Sequence, residues 1–182
     1  MMSNHISFSQ LAQWMQCPWK WKLNYIDNHR GITTNIHLIF GTAMHNVLEE
    51  YLNVAFKESV KKANKIKYKQ RLMEEMAKAA KAQKESLPDD VDFDSLVTKL
   101  EMIEFYYDGI NILEWFIKNR ADYFNSRSDE LVGTELPLRV ELKNNINFIG
   151  YLDVVIRNKY TDTIRIIDFK TSTRGWKDYA KK

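Results

Sequence analysis

A chain of 182 residues, 45% of them hydrophobic, is long enough for one domain with a real core and too apolar to stay disordered. Its single cysteine excludes an internal disulfide framework and suits a reducing cytoplasm; its formal net charge of +3 is too small to diagnose nucleic-acid binding by itself. Met1 to Gln10 lacks the apolar segment of a secretory signal, and no apolar run is long enough to span a bilayer, so no membrane role is expected.

In chain order, Ser7 or Ser9 is placed to cap a short helix running to about Gln16, and Pro18 suits the first turn of a second, from Trp19 to about Ile26. Trp14, Trp19, Trp21 and Tyr25 fall in this pair. Their expected role is core packing, with a base-stacking platform for single strands as the alternative. Cys17 is expected to be a small buried residue before Pro18. Phe40-Gly41-Thr42-Ala43-Met44-His45 opens a third helix continuing to about Phe56. Met44, Val47, Leu48, Tyr51, Leu52 and Ala55 make its apolar stripe, with His45 at the edge. Glu49, one turn on, reads as a solvated helix residue or, alternatively, as a partner that orients the His45 ring.

Lys57 to Glu85 is a long lysine-rich helical stretch, by default a solvated face and alternatively a track for phosphates. Leu87-Pro88-Asp89-Asp90 ends it. Ser95 to Phe124 predicts another long helix, with Gly109 weakening its centre as a site for a kink. From Leu131 to Leu142 the hydrophobic period becomes two: Val132, Thr134, Leu136, Leu138, Val140 and Leu142 share one face, and Glu135, Arg139 and Glu141 take the other. Phe148 to Ile156 and Ile164 to Lys170, separated by Asn158 to Asp162, complete an antiparallel meander of three strands.

The chemistry lies in that meander. Asp153 interrupts an apolar strand, and Asp168-Phe169-Lys170 ends the next. An unpaired buried carboxylate is costly, so such groups normally meet a cation. Strand alternation puts Asp168 and Lys170 on one face, with Cα atoms roughly 7 Å apart, and Phe169 on the other. The hairpin partner brings Asp153 alongside. Two carboxylates and an ammonium in one place suit a divalent metal held against a phosphodiester. Glu135 reads either as an extra acidic residue beside that site or as an exposed strand carboxylate.

Gly150-Tyr151-Leu152-Asp153 followed by Asp168-Phe169-Lys170 resembles the PD-(D/E)XK nuclease superfamily. Ser7-x-Ser9-x-Leu11 with Cys17-Pro18, Gly41-x-x-x-His45, and Thr171-Ser172 after the lysine resemble its RecB-like exonuclease branch, which is related to the CRISPR-associated adaptation nucleases. The resemblance implies a restriction-endonuclease-like α/β fold: a mixed sheet flanked by helices, with a helical insertion. It implies one nuclease domain over residues 1–182, helical in 1–125, with the catalytic meander in 131–170. Asp153, Asp168 and Lys170 would be catalytic. Mg²⁺ or Mn²⁺ would be held by His45, Asp153, Asp168 and the Phe169 carbonyl, with Glu135 as an accessory acid and with Arg174 and Lys177 toward phosphate. Some members of the branch carry an iron–sulfur cluster, which needs about four thiolates; Cys17 alone implies none here.

The implied activity is hydrolysis of DNA, exonucleolytic on ends or single strands, in the cytoplasm of a bacterium or phage-infected cell, alongside recombination, repair or replication proteins. The alternative is a non-catalytic nucleic-acid-binding or assembly subunit on the same scaffold. The family's further helix with Gln-x-x-x-Tyr and its following strand do not occur before Lys182, so the chain is expected to lack the C-terminal part of that core.

Overall fold

Local side-chain caps start most of the helices. In the computed structural model, which describes residues 5–29, 31–125, 127–143 and 146–171, Ser7 ends a short strand, β1 (His5–Ser7), and caps α1 (Phe8–Gln16) by accepting from the Gln10 amide at 3.2 Å. Cys17 caps α2 (Pro18–Tyr25), its Sγ accepting from the Lys20 amide at 3.4 Å, and Pro18 occupies the first turn, where no amide hydrogen is needed. Cys17 is therefore a partly exposed cap, not the buried residue expected. Asn35 caps α3 (Ile36–Lys57) through the Leu38 amide at 3.0 Å, so the helix starts before Phe40 and runs through Gly41.

The lysine-rich stretch is not one helix. Ser59 starts the chain afresh as α4 (Val60–Ala63), and α5 (Tyr68–Glu85) follows. The stretch expected from Ser95 to Phe124 is likewise divided. A single turn, α6 (Phe93–Leu96), precedes α7 (Lys99–Asn119), which a reciprocal Thr98–Glu101 capping box begins. Gly109 does not break α7. A Cβ there would lie 2.6 Å from Leu72 Cδ2 and 3.0 Å from Phe40 Cε2, so the glycine serves the close approach of α7 to α3 and α5.

The expected meander forms as β2 (Asp129–Glu141), β3 (Asn147–Asn158) and β4 (Ile164–Ile167). β3 is its centre. It pairs antiparallel with β2 along one edge. Its other edge is shared by parallel β1 at the start (His5 with Asn147) and antiparallel β4 at the end (Val154 with Ile167). The result is a four-stranded mixed sheet flanked by helices. β1 was not foreseen, because three residues carry too little periodicity. β4 stops at Ile167, so Asp168, Phe169 and Lys170 follow the strand instead of lying on it.

α3 is the core helix. Ile39, Ala43, Met44, Val47, Tyr51 and Leu52 are essentially sealed, and they pack with Val154 and Ile156 of the sheet and with Leu72, Met76 and Leu113 from α5 and α7. By contrast, neither α1 nor α2 contains a buried residue. Core packing by the N-terminal tryptophans is thus overturned: the core closes around α3 without them. Among the described residues no helix is long and apolar enough to cross a membrane.

Candidate metal centre

Thr134 pairs with Val154 and Leu136 with Leu152, so Glu135 of β2 stands opposite Asp153 of β3. Glu135 has φ of 47°, a left-handed conformation that costs a non-glycine residue of order 1–3 kcal/mol. The neighbouring residue is pinned: Thr134 Oγ1 donates to Glu49 Oε1 at 2.8 Å and accepts from Asn53 Nδ2 at 2.9 Å. Glu49, partly exposed, takes its hydrogen bond from Thr134 and not from the His45 ring. It ties α3 to β2 at the residue before the distortion.

The same helix delivers His45, one turn earlier. His45, Glu135 and Asp153 each present a ligand atom, and these atoms lie within 4.8 Å of one another. His45 Nδ1 is 3.6 Å from Asp153 Oδ2. His45 Nε2 is 2.8 Å from the Phe169 carbonyl. A carbonyl only accepts, so Nε2 carries a proton; in the neutral ring the lone pair then sits on Nδ1, facing Asp153. The Phe169 amide donates to Asp153 Oδ2 at 2.7 Å. The backbone of Phe169 is thus held at both its amide and its carbonyl. The Phe169 ring meets His45 and Phe116 edge-on, with centroids 6.1 Å and 6.4 Å away, which anchors the segment after β4 to the core.

Of the residues singled out in the sequence, the fold brings together His45, Glu135, Asp153 and the Phe169 backbone. Asp168 is not in the group of three. Its carboxylate pairs with the Lys170 ammonium at 2.8 Å, both side chains being about half exposed. The strand ends before these residues, so alternation no longer dictates where they point. Arg174 and Lys177 lie outside the described residues.

Charge in the centre is crowded. Partial desolvation raises the Glu135 carboxyl above its usual range although the residue stays open to solvent; Asp153 and Glu49 push it further and His45 opposes them. Two carboxylates and an imidazole lone pair converging on one point, one of them reluctant to ionise beside the other, form a donor set that fits a divalent cation.

Sequence reading missed two supports. One is the Glu49–Thr134–Asn53 bridge, of which only Glu49 had been weighed. The other is Asp129, buried at the start of β2, which takes hydrogen bonds from Arg165 of β4 and from the Asn125 amide at 2.8 Å. An aspartate facing an arginine two strands away leaves no local signature; only an acid heading a strand is visible beforehand.

No curated protein matches the chain. The family model of the PD-(D/E)XK nuclease superfamily matches residues 5–182, from β1 through the whole sheet and past the Asp-x-Lys, and the chain belongs to that superfamily, with its restriction-endonuclease-like fold.

Proposed function

We propose that the protein is a metal-dependent deoxyribonuclease of the RecB-like kind, acting exonucleolytically on DNA ends or single strands. Membership of a nuclease superfamily supplies the reaction class and a nucleic-acid substrate. The observation that carries the finer reading is the His45–Glu135–Asp153 cluster, seated beside the peptide that leads from Asp168 to Lys170. A histidine delivered from the core helix onto the two strands is what the resemblance to that branch implies.

His45 Nδ1, Asp153 and Glu135 would hold Mg²⁺ or Mn²⁺, with Asp168 and the Phe169 carbonyl as the further ligands the resemblance implies. Such an ion supplies Lewis acidity and a bound water of lowered pKa. The chain's own groups do the remaining work. Asp153 fixes the Phe169 amide and so sets the start of Asp168-Phe169-Lys170. Lys170 orients the attacking water and places positive charge where the phosphate gains negative charge. In the metal-free fold Asp168 pairs with the Lys170 ammonium, and it would have to leave it to act as a ligand. For the Phe169 carbonyl to act as a ligand, its bond to His45 has to open.

Lys170→Ala tests this reading with labelled single-stranded and duplex DNA in Mn²⁺ at fixed salt. Cleavage should fall by ~10²–10⁴ while DNA affinity stays unchanged, because one charge among many contributes little to ground-state binding. Equal cutting by the variant would remove Lys170 from the mechanism. A wild type that binds DNA and never cuts would make the non-catalytic scaffold the better reading.

A further inference from the structure

The α1–α2 hairpin exposes large apolar side chains in close succession. Phe8 is 68% exposed, Trp14 50%, Met15 73% and Trp19 65%. Large aromatic side chains are rarely left in water on this scale unless something covers them.

Charge indicates what covers them. No aspartate or glutamate occurs from Met1 to Ile26, whereas Lys20 and Lys22 lie between and beside the tryptophans. Lys22 Nζ sits 5.1 Å above the centre of the Trp19 ring while also pairing with Asp27. Exposed indole faces interleaved with ammonium groups match a polyanion that carries flat, apolar rings, namely a nucleic-acid strand. The strand has to be single, since in a duplex the bases stack on one another and offer no free face.

Position supports the same partner. α1 follows β1 directly, and β1 pairs with Asn147 to Ile149 of β3, the strand that carries Asp153. From Ile149 to Asp153 is a rise of about 13 Å along β3. The base of the hairpin thus lies beside the strand that carries Asp153 of the His45 centre.

We propose that α1 and α2 form a stacking platform for single-stranded nucleic acid next to the metal centre, an inference that rests on the nuclease reading. In the 182-residue chain with EDTA present, a labelled thymidine oligomer of ~16 nucleotides should bind and quench tryptophan fluorescence. Trp14→Ala and Trp19→Ala should each weaken binding about tenfold, and Trp19→Phe should retain most of it. Duplex affinity should change little. Photocrosslinking of the unaltered chain to an oligomer bearing 5-iodouracil should map to Trp14 or Trp19, which keeps the test independent of how the variants fold. Unchanged affinity in the alanine variants, crosslinks elsewhere, or no binding of the oligomer would overturn the platform. So would sedimentation showing that the chain self-associates through these tryptophans without DNA. Asp153→Asn separates the two readings, since it should abolish cleavage without weakening the oligomer. Cleavage with indifferent tryptophans sinks the platform alone; binding through the tryptophans without any cleavage sinks the nuclease alone.

Discussion

His45 and Phe169 are 124 positions apart and share a hydrogen bond of 2.8 Å between ring Nε2 and backbone carbonyl. The bond does two things. It fixes the tautomer that leaves Nδ1 free beside Asp153, and it fastens the segment bearing Asp168 and Lys170 to α3. One ring thus presents a potential ligand atom and ties down the Asp-x-Lys segment.

His45→Ala should therefore weaken Mn²⁺ binding by ~10–100-fold or more in calorimetry. It should also narrow the preference for Mn²⁺ over Mg²⁺, because the remaining donors are all oxygen and nitrogen is what favours the later metal. A variant with the same Mn²⁺/Mg²⁺ ratio as wild type would show that the imidazole is not a ligand.

Glu135 gives a pH dependence whose sign follows from its raised pKa. In the metal-free fold its ionised form is disfavoured, so the fold is relatively most stable below the unfolded carboxyl pKa of ~4.3 and loses stability as pH rises through the raised folded value. Glu135→Gln should raise the metal-free Tm at pH 7, and the gain should vanish near the acid end of the range. Mn²⁺ must displace that proton, so wild-type affinity should rise with pH across the same interval, and the glutamine variant should show a weaker, flatter profile. Asp168→Asn should also weaken Mn²⁺, since freeing an exposed carboxylate from Lys170 costs only ~0–1 kcal/mol. Full wild-type affinity in Asp168→Asn would confine the ligand set to His45, Glu135 and Asp153.

Gly109→Ala tests the packing of α7. Overfilling a tight contact costs ~1–3 kcal/mol, and alanine's better helix propensity returns about 1 kcal/mol of it. Leu72, whose Cδ2 would lie 2.6 Å from the new methyl, is fully buried and has little room to yield. The urea midpoint should fall, and adding Leu72→Val should recover part of the loss. A variant more stable than wild type would mean that the three helices can move apart at little cost.

The meander was legible because its signals are local: period-two alternation, turn residues at Asn158 to Asp162, and an acid in an apolar run. Asp153 stood out for that reason, whereas His45 was singled out by the resemblance of Gly41-x-x-x-His45 to a family motif; the fold brings the two together. The role of Glu135 was not settled by sequence, because its backbone departs from the strand and no residue type announces that departure in a glutamate. The strand ends at Ile167, yet Asp168 and Lys170 still lie together and Phe169 turns the other way, to His45 and Phe116; what alternation did not foresee is that Asp168 meets Lys170 and is not in the His45–Glu135–Asp153 group. The aromatic helices misled in another way. Hydrophobic residues in a helix usually find a core, and only the tertiary arrangement shows that this core was already full.

The pairing of His5 with Asn147 has a consequence for the order in which the molecule assembles. Nearly the whole chain is looped out between these partners, and contacts of such separation are the slow ones to form, because closure entropy is lost before any contact rewards it. On a ribosome, β1 leaves the exit tunnel before β3 and has no partner until β3 emerges. During that interval the tryptophans of α1 and α2 are attached to a segment with nowhere to dock. β1, made well before its partner β3, is among the last parts of the sheet to become native.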